Sequence, residues 1–321
     1  MSRALKLLAG FALGGVLLWL ALRQVDGAAL LAATRGVNGP MLLAAPLALA
    51  LGYVCRVRRW WLMLRPHNPA LGQGRAAVAF LASIAGNNLA PFRLGDALRC
   101  FGFSRWLGVP NGAVLGTVLI ERVLDMLAVL LALGLALWMV APGAASGLVG
   151  PAVVGMGAGA VLLVLWPGIL APPLRALARM IGRLGPQAQA RAEGFLGPLI
   201  DALTTLSTGP ARAALIGWTV PVWLFEGASY WAVALAMPAL PLPGAAWLAM
   251  PAGTLATLLP TTPGHIGAFD YVAQLATVAA GNPLAEATAF VIVVHLMLWL
   301  TTTLAGGLCL LIWALQRKQA A

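Results

Sequence analysis

Two polar segments interrupt an otherwise apolar chain, over residues 86–99 and 259–271. The candidate binding residues of the first segment are Asn87, Asn88, Pro91, Arg93, Asp96 and Arg99. Those of the second segment are Thr262, Pro263, Gly264, His265 and Asp270. Because Gly and Pro interrupt helices, both segments are predicted to be helix breaks whose free backbone groups line protein or a wet cavity.

The chemistry predicted for these breaks is the binding of an anionic group such as phosphate. A helix is expected to restart near Asp96 and near Ile266, and a helix N-terminus offers free N–H groups to an anion. Arg93 and Arg99 can add bidentate donors. The alternative is that Asp96 only caps its helix and that Arg93 extends to the headgroup layer. The matching break in each half favours binding.

Further charges lie within apolar sequence outside the two breaks. Glu121, Arg122 and Asp125 follow the start of an apolar run at residue 112, and Glu226 is the sole acid of the run 211–237. A lone charge at mid-bilayer costs about 2.5–3.5 kcal/mol, so these side chains are predicted to form a buried, paired charge network. Glu226 is expected to find its partner in the second half of the chain, for example His265.

The remaining pairs of this network follow from helix spacing. Glu121 and Asp125 share a helix face at i, i+4, and Arg122 can reach Asp125 at i, i+3. Arg93 or Arg99 is the expected cross-helix partner of this charge cluster. A structural ion-pair role is favoured for Asp125, whereas the role of Glu121 is left open.

Little in the sequence supports covalent or metal chemistry. The three Cys and three His lack disulfide or metal-site spacing, so no metal, cofactor or catalytic residue is predicted and the chain is not expected to be an enzyme. An intramembrane hydrolase is the weaker alternative, because Ser229 lacks the following glycine of a serine-hydrolase motif. His295 is expected to be a neutral imidazole bound to a neighbour, with a proton relay through His295 or Glu226 as a further hypothesis.

The composition places the chain in a membrane. Of its 321 residues, 61% are hydrophobic and 9% are charged, whereas a soluble domain carries about 25% charged residues. Such an excess of apolar side chains is compatible with a folded protein only in a lipid bilayer. The formal net charge of +11 comes from arginines placed between apolar runs, which is typical of membrane topology and not of nucleic-acid binding.

The apolar runs lie at about 5–22, 40–55, 76–90, 112–140, 147–171, 211–237, 245–260, 266–280 and 285–315, and the second continues to Leu64 through a cluster of arginines. The arginine-rich connections are 56–75, 93–105 and 175–212. The positive-inside rule places these connections and both basic termini in the cytoplasm. The run 76–90 must then return to the cytoplasmic side, and 245–260 with 266–280 must return to the outer side.

The predicted fold class is therefore an all-α polytopic membrane protein with six full spans and two oppositely oriented re-entrant helical hairpins. These elements form two inverted-topology repeats. Repeat one covers about 1–140 and repeat two about 147–317, within a single integral membrane domain over 1–321. Eight conventional spans are the alternative.

Three motifs in order resemble a known family: NNLAPFRLGDALR, GTVLIERVLDMLAVLL and LLPTTPGHIGAFDY. They are similar to the flippase-like transmembrane family, the membrane region of lysylphosphatidylglycerol synthases, and the resemblance runs over about residues 5–315. By position, the residues that match the motifs are Asn87, Asn88, Pro91, Arg93, Gly95, Asp96, Arg99, Glu121, Arg122, Asp125, Pro263, Gly264, Gly267 and Asp270.

Two departures from the family matter. The family often has Glu where this chain has Asp96 and Asp270. The sequence ends at Ala321, just after the last apolar run, so the soluble aminoacyl-transfer domain is expected to be absent and lipid aminoacylation is not expected.

The resemblance implies an inner-membrane lipid translocase fold, and the charge bias predicts that both termini are cytoplasmic. The leading hypothesis is a flippase or transporter that moves an anionic lipid, of phospholipid or polyprenyl-phosphate type, between leaflets by alternating access. No ATP-binding loop GxxxxGK[ST] is present, so movement is expected to be downhill or coupled to an ion gradient. The alternative is a non-transporting accessory protein of an envelope-lipid pathway. Membrane lipids are the expected partners, and a homo-oligomer or a complex with lipid-pathway enzymes is left open.

Overall fold

The computed structural model describes residues 3–90, 93–140, 155–159, 161–162, 167–183, 185–205, 209–259 and 262–319. Within these ranges the chain is helical and has no β-strand. The helices of the first half are α1 (Arg3–Leu22), α2 (Gly27–Ala33), α3 (Gly39–Leu64), α4 (Gln73–Leu89), α5 (Leu94–Ala97), α6 (Ser104–Leu107) and α7 (Asn111–Val140). Those of the second half are α8 (Ala171–Gly182), α9 (Pro186–Thr205), α10 (Gly209–Ala236), α11 (Ala246–Ala256), α12 (Ala268–Ala279) and α13 (Leu284–Gln319).

The all-helical prediction is confirmed for the described residues, and the helix bounds follow the predicted apolar runs closely. The predicted continuation of the second run to Leu64 is confirmed, since α3 extends without interruption to Leu64 and contains Arg56 and Arg59. The arginine-rich connection predicted over 56–75 therefore begins only after Leu64, which is a correction. Most of the predicted run 147–171 and the candidate residue Pro91 lie outside the described residues.

Two of the described helices are long and apolar enough to cross a membrane, namely α3 and the segment 284–316 of α13. A third crossing is available if α1 and α2, which are bent by 80° at their junction, count as one broken span. The six spans, the two re-entrant hairpins and the inverted repeats stay predictions.

Each predicted hairpin is a pair of helices that meet at a break. In the first hairpin, α4 is followed by the short helix α5 and a π-helical turn at Leu98–Gly102. Its arms approach so closely that a Cβ on Gly95 would collide with the carbonyl oxygen of Ser83. In the second hairpin, α11 and α12 have 11 and 12 residues. At about 1.5 Å per residue, neither arm reaches across a hydrocarbon core of about 30 Å.

The tips of the two hairpins meet. Nη2 of Arg93 in the first tip lies 3.4 Å from the carbonyl oxygen of Thr257 in the second. The side-chain amide of Asn88 donates to the hydroxyls of Thr302 and Thr303 at 2.8 and 2.9 Å, which fixes the first tip to α13. The two breaks, which are about 170 residues apart in the sequence, therefore form one continuous region.

Glycine allows the close packing of α4 against α13. A Cβ on Gly306 would collide with the carbonyl oxygen of Leu81, whereas a Cβ on the adjacent Gly307 would meet open space. We expect Gly306→Ala to lower the free energy of unfolding by about 1–3 kcal/mol, the cost of overpacking. The matched variant Gly307→Ala should be neutral or stabilising by up to about 1 kcal/mol, because Ala favours a helix. Thermal unfolding in mild detergent measures both, and equal effects would contradict this packing.

Candidate functional site

A polar cavity of about 260 Å³ lies where the hairpin tips meet. Its walls come from α3, α4, α7, α10, α11, α12, α13 and both breaks. The charged, amide and imidazole side chains that line it are Arg56, Asn88, Arg93, Glu121, Arg122, Asp125, Glu226, His265 and His295. The structure thus brings the predicted charge network and parts of both predicted breaks into one site.

Arg99 is not available to a ligand. Its guanidinium is buried and binds both carboxylate oxygens of Glu121, at 3.0 and 3.3 Å. The same group lies over the rings of Trp60 and Phe80, 5.0 and 4.8 Å from their centroids. The prediction that Arg99 could pair with Glu121 is confirmed, and this pairing assigns Arg99 a structural role, in place of the phosphate contact expected from sequence.

Asp96 joins the first hairpin to α7. Its carboxylate lies 3.0 Å from Nη2 of Arg122 and accepts a bond from the amide of Asn87 at 3.1 Å. The backbone N–H of Asp96 donates in turn to Oδ1 of Asn87 at 3.1 Å. The predicted i, i+3 pair of Arg122 with Asp125 is therefore wrong, because Arg122 turns to the carboxylate of the neighbouring hairpin.

Two arginines of α3 hold the acids of α7 and α10. Arg59 binds Oδ1 of Asp125 at 2.7 Å. Arg56 lies 3.3 Å from Oδ2 of Asp125 and 3.2 Å from Oε2 of Glu226. The predicted pairing of Glu226 with His265 is wrong, since the permanently charged Arg56 occupies this carboxylate.

Sequence reasoning missed Arg56 and Arg59 because charge bias assigned them to a cytoplasmic connection. Their i, i+3 spacing was the available signal, since it places both on one face of a helix. In the sequence, an apolar run directly precedes the two arginines, and Trp60 and Trp61 directly follow Arg59. An apolar helix that carries two arginines on one face needs acids opposite them.

Arg93 is the exception among these arginines. Arg56, Arg59, Arg99 and Arg122 each form an ion pair with a carboxylate. None of the ion pairs recorded in the described ranges includes Arg93, whose Nη2 has the Thr257 carbonyl and hydroxyl at 3.4 Å. With five arginines facing four carboxylates, the network has an excess positive charge at Arg93.

Backbone strain marks the same region. Within the described ranges, two residues other than glycine have positive φ: Arg93 at 52° and His265 at 61°. Such residues cost about 1–3 kcal/mol and cluster at functional sites. Each lies in one of the two breaks, and both line the cavity. The ring atom Nδ1 of His265 is buried and has no hydrogen-bond partner among the described residues.

Hydrogen bonds between its own residues stabilise the turn of the second break. Thr262 donates its hydroxyl proton to the carbonyl of Ile266 at 2.7 Å, around a 3₁₀ turn that begins at Pro263. The N–H of Gly267 donates to Oδ2 of Asp270 at 2.8 Å and caps α12. One N–H at each restarting helix is therefore already bonded within the protein, that of Gly267 to Asp270 and that of Asp96 to Asn87. Binding of phosphate by the other N–H groups of these helix starts stays a prediction.

His295 lies between the second tip and α12. Its Nδ1 is 2.6 Å from Oδ1 of Asp270 and its Nε2 is 2.9 Å from the carbonyl oxygen of Gly264. The prediction that this imidazole is hydrogen-bonded to neighbours is confirmed.

Groups that could support other chemistry do not converge in the described residues. No cluster of three His, Cys, Asp or Glu side chains suited to a metal ion occurs there. The hydroxyl of Ser229 donates to the carbonyl of Glu226 on its own helix, at 2.7 Å.

Long apolar helices, paired breaks and a cavity of buried charges define a polytopic membrane protein. The chain belongs to the family described as the lysylphosphatidylglycerol synthase TM region, whose model matches residues 7–306. This match confirms the resemblance found in the three motifs and marks the chain as a membrane protein of lipid metabolism or transport. No curated protein matches the chain.

The Arg99–Glu121 pair gives a testable consequence. We expect Arg99→Met to lower the free energy of unfolding by about 3–5 kcal/mol, because Glu121 would remain buried without its close partner. Its nearest remaining cation would be Arg122, at a distance of 4.0 Å. The double variant Arg99→Met/Glu121→Gln should recover most of this loss. Arg105 is exposed, so Arg105→Met serves as the control and should change stability by less than about 0.5 kcal/mol. A single variant as stable as wild type in detergent unfolding would overturn the structural role.

Proposed function

We propose that this protein moves an anionic lipid between the leaflets of the inner membrane. The observation that carries the proposal is Arg93, a cation in a cavity between two helix breaks whose neighbouring arginines all have carboxylate partners. In an apolar setting such a charge favours a ligand of opposite sign. A phosphate fits because it accepts the bidentate, charge-assisted bonds that a guanidinium offers.

His265 offers a second contact for such a headgroup. Its buried Nδ1 lacks a partner in the described part of the chain, and a buried polar atom of this kind calls for a bound water, ion or ligand group. Arg93 and His265 come from opposite hairpins and line one cavity. A headgroup held by both would thus contact both halves of the protein at once.

The surroundings of the cavity suit lipid tails. An apolar pocket of about 320 Å³ between α1, α12 and α13 shares His295 and Trp299 with the polar cavity. Another, of about 360 Å³ between α3, α4 and α13, shares Tyr53 and Thr302 with it. A polar chamber with apolar pockets on its walls matches an amphipathic ligand whose headgroup is inside and whose chains remain in lipid.

The movement proposed is alternating access, in which the hairpin tips open to one leaflet and then to the other. The substrate class is a phospholipid or a polyprenyl-phosphate carrier, and the termini are cytoplasmic in the orientation proposed from charge bias. A role as a non-transporting accessory protein, with purely architectural charges, leaves Arg93 and the cavity without a purpose.

The role of Arg93 can be tested in vesicles of phosphatidylcholine that contain phosphatidylglycerol with an NBD-labelled acyl chain. Quenching of the outer leaflet reports lipid movement. We expect Arg93→Gln to slow movement ten- to a hundredfold, since a hydrogen bond to a charged group contributes about 1.5–3 kcal/mol. Arg93→Lys should retain part of the rate because it keeps the charge.

The matched control is Arg105→Gln, which removes an arginine outside the cavity and should move lipid at the wild-type rate. An Arg93→Gln protein as active as wild type would exclude the phosphate contact. A well-folded wild-type protein that moves no lipid would instead favour the accessory role.

A further inference from the structure

The contacts of His295 determine where its protons are. The Gly264 carbonyl can only accept a hydrogen bond, so the nitrogen 2.9 Å from it, Nε2, must carry a hydrogen. Nδ1 and Oδ1 of Asp270 are 2.6 Å apart. Both atoms have lone pairs, so this contact requires one further proton between them, on either the imidazole or the carboxyl group.

The Asp270–His295 pair therefore holds one exchangeable proton and is neutral overall while it does so. Loss of that proton leaves a net charge of −1. The neutral imidazole then carries its one hydrogen on Nδ1, as donor to the Asp270 carboxylate, and its Nε2 lone pair faces the carbonyl oxygen of Gly264. The hydrogen bond from His295 to Gly264 is lost, which frees the second hairpin tip from α13.

The other charged groups that face this region are mutually paired, with one exception. Those lining the cavity are Arg56, Arg93, Glu121, Arg122, Asp125 and Glu226. Its remaining titratable side chains are Tyr53, Tyr230 and His265. The sequence of α11 carries none, and α1 has its basic residues at its first turns, Arg3 and Lys6. Arg93 is the cation without a carboxylate partner, and His295 lies in the wall of the same cavity.

This arrangement links the proton to an anionic headgroup. Without the proton, the pair carries −1 and lowers the net positive charge of the cavity whose wall holds both Arg93 and His295. With the proton, the pair is neutral and the cavity keeps the positive charge of Arg93 for an anion. A headgroup and a proton thus favour each other's binding, and thermodynamic reciprocity makes the effect mutual.

We propose that the Asp270–His295 pair is the proton site of a lipid–proton symporter, in which one proton accompanies each singly charged lipid anion. The proton enters from water on the side where the headgroup binds, occupies the contact between Nδ1 and Oδ1, and leaves to water on the other side. The lipid anion and the proton cross together, so no net charge moves. This inference rests on the proposed function and adds its energy source.

The stoichiometry gives a quantitative test in vesicles of phosphatidylcholine with NBD-labelled phosphatidylglycerol. For electroneutral symport, an interior one pH unit more alkaline should draw the lipid inward until the inner-to-outer ratio approaches about 10:1, since one pH unit is a tenfold ratio of protons. A potassium diffusion potential set with valinomycin should leave the ratio unchanged. Protein-free vesicles under the same gradients provide the background to subtract.

Asp270→Asn removes the proton and preserves the hydrogen bonds. An asparagine oxygen can accept from the N–H of Gly267, and its amide can donate to Nδ1 of a neutral His295. We expect this variant to move the lipid anion alone, so the leaflet ratio should follow the potassium potential and ignore the pH gradient. Asp26→Asn is the matched control, because Asp26 caps α2 outside the cavity, and it should behave as wild type.

The outcomes separate the two proposals. A wild-type protein that brings the lipid to equal amounts in both leaflets under the pH gradient would overturn the proton site and leave lipid movement intact. A wild-type protein that moves no lipid would overturn the proposed function and, with it, the symport. If Asp270→Asn does not fold, as judged by size-exclusion chromatography, the comparison of pH gradient and potential in the wild type still decides the proton site.

Discussion

The structure depends on one constraint: a charge surrounded by apolar sequence must find its partner within the protein. Each of the four acids in the network forms an ion pair with at least one arginine from another helical segment. The pairs link α3 to α7 and α10, and the first hairpin to α7. Breaking a buried ion pair is costly because it leaves an uncompensated charge in the protein interior. The pairs therefore determine which helices stay together.

The second constraint is steric. Hairpin arms and their neighbours approach at positions where a side chain has no room, as Gly95 in the first hairpin and Gly267 beside α1 show. Gly267 also has a φ of 91°, a conformation that glycine adopts readily. Close backbone approach brings the two tips into contact, and that contact forms a cavity from residues that are distant in the sequence.

The sequence was sufficient for most of the helices and for the two breaks, because apolar runs and Gly and Pro positions are local signals. It narrowed the cross-helix partner of the charges on α7 to Arg93 or Arg99. The sequence did not determine which arginine pairs with which carboxylate. Arg122 binds Asp96 instead of Asp125, and Glu226 binds Arg56 instead of His265. Each carboxylate had several candidate arginines, and tertiary packing decides among them: α3 packs against α7 and α10, and the first hairpin packs against α7. The pairing of Arg99 with Glu121 of α7 removes Arg99 from the proposed ligand site, whereas Arg93 stays in it.

These pairings also indicate which parts could move in the proposed alternating access. The ion pair between Arg56 and Glu226 connects α3 of the first half to α10 of the second, at 3.2 Å. Rocking of one complete half against the other would have to break it inside the protein. The contacts between the tips are weaker: Arg93 reaches Thr257 at 3.4 Å, and His295 holds Gly264 by a single hydrogen bond. Movement confined to the hairpin tips, against a frame fixed by buried ion pairs, therefore requires the least disruption of buried charge.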